Sequence, residues 1–245
     1  MKLEVVPAER LALRGARFIA ATLRSAVAAR GHATVAFSGG STAGPLLEAL
    51  AGVDVPWPAI DVLQVDERVA PEGHPDRNLT TLQRCLLDHV PLPRDHLHAM
   101  PVDAEDLDAA AVAYAATLRD VAGRPATLDL VHLGLGTDGH TASLVPDLPA
   151  PSPDETPDPV IVTPVYEGRQ RLTLTVPVLS RARQVLWFVS GASKAPIVRR
   201  LVDGDSSILA GQVRRSRSLL LLDPDAAAEL PFDSTDAASP EIGSS

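Results

Sequence analysis

Cysteine occurs once in the 245 residues, at Cys85. No intrachain disulfide is therefore possible, and zinc sites built from several thiolates are excluded. Cys85 itself falls among leucines in a helical stretch and reads as a small core residue. A basic excess is also missing: 31 acids face 22 bases, a formal net charge of -9. That balance argues against a nucleic-acid binder and against attraction to anionic membranes. It leaves anionic small molecules open, because a few local bases and amides suffice to hold a phosphate. No long uninterrupted apolar run is present. The stretch 11–29 carries Arg14, Arg17 and Arg24, so it does not read as a membrane span, and Met1-Lys2-Leu3-Glu4 lacks the apolar core of a signal peptide. A cytoplasmic protein is expected. Lysine is scarce, with only Lys2 and Lys194 against 20 arginines, which singles out the internal lysine. The 45% hydrophobic and 22% charged content, with 3% aromatics, is that of a globular chain.

Apolar spacing predicts a helix over 7–30, with Leu11, Phe18, Ile19, Leu23 and Val27 inward and Gly31 as its stop. Short apolar runs predict strands at 34–37, 60–65, 128–133, 184–190 and 218–222, with further strands at 160–165 and 171–176. Helices are predicted over 44–50, 79–89 (capped by Asn78), 106–121, 192–202 and 224–230. Residues 146–159 are proline-rich and acidic and read as a surface loop; 231–245 read as a disordered acidic tail. Strands that are apolar throughout and alternate with helices define an α/β fold. We expect a Rossmann-like, mostly parallel sheet with helices on both faces, in a single domain over 1–230. Ligands in such folds bind beyond the carboxyl ends of the strands.

Four strand-end segments carry chemistry-bearing residues. Ser38-Gly39-Gly40-Ser41-Thr42 joins a strand to a helix. Its glycines let backbone amides approach an anion, its hydroxyls add donors, and the helix adds its N-terminal dipole. Without a ligand it is an ordinary tight turn. Asp66-Glu67-Arg68 offers a carboxylate that can orient a hydroxyl or take a proton and a guanidinium that can clamp an anion; a local ion pair is the bland alternative. In Gly136-Thr137-Asp138-Gly139-His140-Thr141-Ala142-Ser143, His140 brings an imidazole, the side chain suited to general acid or base work near neutral pH, and Asp138 can fix its tautomer. The alternative there is a glycine-rich turn with an exposed histidine. In Ser190-Gly191-Ala192-Ser193-Lys194, the lysine falls in the first turn of its predicted helix, where a cation opposes the dipole unless an anion is bound. Asp66, His74, Asp138 and His140 do not have a familiar metal-ligand spacing, and Ser38 and Ser143 lack a nucleophile elbow. His89, His96 and His98 read as structural or solvent-exposed. Arg214, Arg215 and Arg217 read as a solvated basic face.

These segments resemble, in order and spacing, those of the 6-phosphogluconolactonases. The similarity covers 37–230: Ser38 to Thr42, Asp66-Glu67-Arg68 with His74-Pro75-Asp76 and Asn78, Gly136 to Leu144, Arg171 to Thr175, and Gly191 to Ala195. The chain departs from the usual pattern at Arg77, where a serine is common, and at Val145-Pro146, where Phe-Pro is common. Gly168-Arg169-Gln170 stands where a Pro-Pro pair often precedes the arginine, so Arg169 and Arg171 both remain candidates for that role. Leu209-Ala210-Gly211 replaces a Leu-Pro-Ala segment.

The resemblance implies a Rossmann-like fold shared with glucosamine-6-phosphate deaminases and ribose-5-phosphate isomerases. It implies hydrolysis of a sugar-phosphate lactone in the oxidative pentose phosphate pathway, with His140 as general base, Asp66 orienting substrate or water, and Arg68 stabilising negative charge. Ser38, Gly39, Gly40, Ser41, Thr42, Asp138, Gly139, Arg171 and Lys194 would line the substrate and phosphate site. No metal or organic cofactor is expected, the partner is a small molecule, and a monomer is the expected state. The rival readings are a deaminase and a non-catalytic sugar-phosphate sensor. Deaminases usually continue past the histidine with a Phe-Asn-Glu-Pro-type segment, which Ser143-Leu144-Val145-Pro146 does not provide.

Overall fold

The strands of this chain are apolar at nearly every position because both faces of the sheet are covered. In the computed structural model, which describes residues 1–145, 148 and 158–231, the order is β1 (Lys2–Val5), α1 (Ala8–Arg30), β2 (Ala33–Phe37), α2 (Ala43–Ala51), β3 (Ile60–Gln64), β4 (Asp66–Arg68), α3 (Asn78–Cys85), β5 (Leu97–His98), α4 (Leu107–Ala122), β6 (Leu130–Leu133), β7 (Val160–Val162), β8 (Arg171–Leu174), α5 (Val176–Arg181), β9 (Gln184–Val189), α6 (Ala195–Asp203), α7 (Leu209–Gln212) and β10 (Ser218–Leu222). Seven strands form one parallel sheet, ordered β1-β10-β9-β6-β2-β3-β5. On one face Val35, Phe37, Val62, Leu186 and Leu221 pack with Ile19, Leu23 and Leu46 of α1 and α2. On the other, Val131, Leu133, Trp187 and Leu220 pack with Tyr114, Leu118, Val198 and Leu201 of α4 and α6. The expected parallel α/β architecture is therefore present, with helices on both sides.

From β2 the chain works outward through β3 to β5, then returns to the other side of β2 as β6. The direction of winding reverses there, so the β2 and β6 loops diverge at the carboxyl edge and leave a crevice between them. A second, antiparallel sheet of β4, β8 and β7 stands at that edge. Asp66-Glu67-Arg68, expected as a strand-end loop, is itself a strand; three residues carry no visible periodicity. Apolar spacing also missed β1, β5, α5 and α7.

Three local expectations need correction. Asn78 does not cap its helix. The Glu67 carboxylate accepts the N–H groups of both Asn78 and Leu79, each at 2.8 Å. A full negative charge outcompetes a neutral amide for these donors, and the Asn78 side chain instead donates to the Asp66 carbonyl at 2.8 Å. The predicted helix at 192–202 begins as a tight turn over Ala192–Lys194, and Pro196 sits in the first turn of α6, where its missing N–H costs nothing. The predicted helix at 224–230 is a series of turns, held by Asp223, whose carboxylate accepts the Ala226 and Gly191 N–H groups. The predicted loop at 146–159 and tail at 231–245 lie almost wholly outside the described residues. Among those residues, no helix is long and apolar enough to cross a membrane.

His132 lies in the middle of β6, 1% exposed, with the rings of Phe37 and Phe188 each 6.2 Å away. Burial holds its pKa down to about 4. An unfolded histidine protonates near pH 6.5, so between about pH 6.5 and 4 the unfolded chain binds the extra proton and the native one does not. Stability should fall as pH drops through that window, by at most roughly 3 kcal/mol from this residue. Denaturant unfolding at pH 7 and pH 4.5 checks it: His132→Leu should show a smaller loss than the parent, and equal losses would contradict it.

Candidate active site

The cleft at the sheet's carboxyl edge encloses about 600 Å³, mouth included, between the β2 loop, β4, the β6 loop and the start of α6. Its first wall is Ser38 to Thr42. The loop turns straight into α2, so the helix N-terminus opens on the cleft. Among the described residues the Ser41 and Thr42 hydroxyls have no partner within the protein, whereas Ser38 donates to Asp66 at 3.2 Å. Gly39 is a steric requirement, since a Cβ there would lie 1.8 Å from the Asn78 side-chain oxygen.

Asp66 and Glu67 are neighbours on β4, so their side chains point to opposite faces. Both are buried, at 2% and 0% exposure. Glu67 faces the protein and accepts from the N–H groups of Arg68, Asn78 and Leu79 and from Gln64 Nε2, all at 2.7–2.8 Å. Asp66 faces the cleft and accepts the Ser38 hydroxyl on one oxygen and the Ser143 hydroxyl, at 2.7 Å, on the other. Arg68 follows on the cleft wall, steadied by an Nη1 bond to the Asp76 carbonyl at 2.8 Å.

The β6 loop brings in His140. Its Nδ1 lies 2.6 Å from Asp138 Oδ1, which also accepts the His140 backbone N–H at 3.2 Å. Burial by itself raises the Asp138 carboxyl, but its bonds with His140 and Tyr166 outweigh that and hold it below the ordinary carboxylate range. An ionised Asp138 can only accept, so Nδ1 carries the hydrogen, and in the neutral imidazole the lone pair is then on Nε2. Gly136 makes the pair possible: a Cβ there would lie 2.2 Å from His140 Nδ1 and 2.5 Å from Asp138 Oδ1. On the far wall stands Lys194. Burial pushes its ammonium below the ordinary lysine value, which the Asp138 charge partly opposes.

The cleft thus gathers Ser38, Gly39, Gly40, Ser41, Thr42, Asp66, Arg68, His140 and Lys194 from across the chain. Asp138 and Gly139 do not line it; Asp138 stands behind His140, and the Gly139 carbonyl accepts the Ala210 N–H at 3.0 Å. Arg171, expected at the phosphate, is not on the wall either. It is 4% exposed and drawn back by Glu167 at 3.0 Å and by the Tyr166 ring, 5.0 Å from its Cζ. Arg169 bonds Asp76 at 2.7 Å and also stays off the wall. Sequence reasoning missed Tyr166, whose hydroxyl donates to Asp138 Oδ2 at 3.0 Å, and the bond from Ser143 to Asp66. No spacing signal links such distant positions. Among the described residues, no group of three or more His, Cys, Asp and Glu side chains is placed to hold a metal ion.

A parallel sheet with an anion-ready helix start, a lysine and a carboxylate-held histidine at its switch point defines a class of small-molecule-binding α/β proteins. Within that class, the model of the family described as glucosamine-6-phosphate isomerases/6-phosphogluconolactonase matches residues 7–220, and the chain belongs to this family. It is 43% identical over 176 residues to a 6-phosphogluconolactonase of Synechocystis, covering 70% of this chain and 72% of that one. Against the 6-phosphogluconolactonase of Mycobacterium tuberculosis it is 37% identical over 241 residues, covering 90% and 94%. The fold matches the crystal structure of 6-phosphogluconolactonase from Thermotoga maritima with a TM-score of 0.80 at 22% identity, over 91% of this chain and 98% of that one. It matches a monomeric glucosamine-6-phosphate deaminase with a TM-score of 0.81 at 20% identity, over 94% and 100%.

Gly136→Ala should break the Asp138–His140 pair while leaving the sheet intact. Imidazole ¹⁵N shifts check this: His140 should report hydrogen on Nδ1 in the parent and lose that preference in the variant. An unchanged tautomer would contradict the geometry.

Proposed function

We propose that this protein hydrolyses 6-phospho-D-glucono-1,5-lactone to 6-phosphogluconate, the lactonase step of the oxidative pentose phosphate pathway. The observation that carries the reading is a histidine with its tautomer fixed by a carboxylate, in one cleft with a glycine-rich helix start and a lysine suited to a phosphate. The names of the relatives at 37–43% identity support it. The fold alone does not separate lactonase from deaminase, since both kinds of structure match it equally well. The residues after His140 favour the lactonase: Thr141 to Pro146 offer no carboxylate for ring opening of an amino sugar.

The α2 N-terminus, the Ser41 and Thr42 hydroxyls and Lys194 bind the phosphate, which fixes the far end of the substrate and orients its C1 carbonyl. His140 Nε2 takes a proton from water as the water oxygen attacks C1. The imidazolium is stabilised through Nδ1 by Asp138. Arg68 stabilises the negative charge that develops on the carbonyl oxygen. When the tetrahedral intermediate collapses, the C1–ring oxygen bond breaks and His140 returns the proton to that oxygen. Asp66, clamped by two serines, orients a sugar hydroxyl or the water. The chemistry requires no cofactor, because a lactone is already an activated ester.

The test generates the lactone in situ, traps product with 6-phosphogluconate dehydrogenase and subtracts spontaneous opening. Rate should rise in proportion to protein. His140→Ala should lower kcat by roughly 10²- to 10⁴-fold with little change in KM. Lys194→Ala should raise KM by roughly tenfold or more, the worth of a charged hydrogen bond. No acceleration by folded protein would reject the reading in favour of deamination or sensing.

A further inference from the structure

Tyr166 stands outside the cleft wall, yet among the described residues it is the one distant side chain that hydrogen-bonds the His140–Asp138 pair. Asp138 sits in a glycine-rich turn with its side chain 33% exposed. Its other two contacts come from His140 itself, two residues away. A carboxylate held only by so local a neighbour can turn toward water and release the imidazole. The Tyr166 hydroxyl, 3.0 Å from Oδ2, is the only non-local bond Asp138 receives among the described residues. From these contacts we infer that Tyr166 is a positioning residue of the site: it holds Asp138 so that His140 keeps its hydrogen on Nδ1 and its lone pair on Nε2. The inference rests on the lactonase reading only where activity is the readout.

The setting of Tyr166 suits that task. It opens a tight hairpin between β7 and β8, pairing with Arg169 through backbone bonds of 3.0 and 3.2 Å. Glu167 and Gly168 at the tip have φ of 49° and 80°, as expected where a two-residue turn must follow the twist of its strands. Two groups flank the ring. Its neighbours are the buried Arg171 guanidinium, 5.0 Å from the centroid, and the His140 ring, edge-on at 5.7 Å and 68°. Arg171 is itself held by Glu167 at 3.0 Å and lies 3.5 Å from the Ser143 hydroxyl that clamps Asp66. One buried guanidinium therefore stands behind two carboxylates, Asp66 on the cleft wall through Ser143 and Asp138 behind His140 through Tyr166. Burial and the Asp138 charge raise the Tyr166 pKa, so the phenol stays a donor through neutral pH.

Tyr166→Phe removes the hydroxyl and keeps the ring over Arg171 and beside His140. It should lower kcat roughly 3- to 10-fold, the worth of one net hydrogen bond, with KM unchanged. The same substitution in an Asp138→Ala background should cost nothing further. Exposed Val165→Ala, next door on the hairpin, should leave activity and melting temperature as in the parent. Imidazole ¹⁵N shifts should show a growing fraction of His140 with hydrogen on Nε2 in Tyr166→Phe. Four results would overturn the inference: a parent-like kcat and tautomer in Tyr166→Phe, an equal loss in the Asp138→Ala background, a raised KM with kcat intact, or a loss in Val165→Ala matching that of Tyr166→Phe. A parent protein that does not open the lactone would reject the functional reading instead, and the tautomer measurement would still decide the role of Tyr166.

Discussion

A single carboxylate ties the cleft together. Asp66, at 2% exposure, accepts hydroxyls from Ser38, just past β2, and from Ser143, in the loop after β6. Those loops leave the sheet on either side of its switch point and would otherwise diverge. Burying a carboxylate costs several kcal/mol unless its lone pairs are met. That penalty makes the arrangement selective, because only a conformation bringing both serines to β4 satisfies the charge. Glu67, pointing the opposite way, applies the same constraint on the protein side. Its four donors fix β4 to the start of α3 and to Gln64, and Gln64 in turn accepts the Met100 N–H at 2.9 Å. Two adjacent acids, split by the alternation of a strand, thus hold the site on one side and the scaffold on the other.

The chemistry follows from that frame. With the loops fixed, the α2 N-terminus and Lys194 supply positive potential in the same cleft as His140. A carboxylate behind the imidazole sets which nitrogen faces the work. Glycine appears where two groups must approach more closely than a Cβ allows: Gly39 against Asn78, and Gly136 against the His140–Asp138 pair. The cleft is assembled from residues far apart in sequence, so the hydrogen bonds that hold the loops also set its shape.

Much of this was legible in the sequence because it is local. Apolar runs gave the sheet, and residues sitting just past those runs gave Ser38 to Thr42, Asp66, Arg68, His140 and Lys194. What escaped was non-local or short. Glu67 looked like part of an acid–base triplet, and nothing in the sequence says that its carboxylate caps a helix that Asn78 was expected to cap. Arg171 carried the look of a phosphate ligand, but Glu167 and Tyr166, on a hairpin whose turn geometry is not encoded in a periodicity, pull it away. Tyr166 reaches Asp138 across 28 positions, a pairing visible only once β7 and β8 are in place.

The most direct measurement compares thermal denaturation and lactone turnover in Asp66→Ala and the parent. If the carboxylate holds the loops together, its loss leaves two hydroxyls without their acceptor. The melting temperature should then fall by roughly 5 °C, and turnover should fall with it. An unchanged melting temperature would contradict the account, whichever way turnover moved.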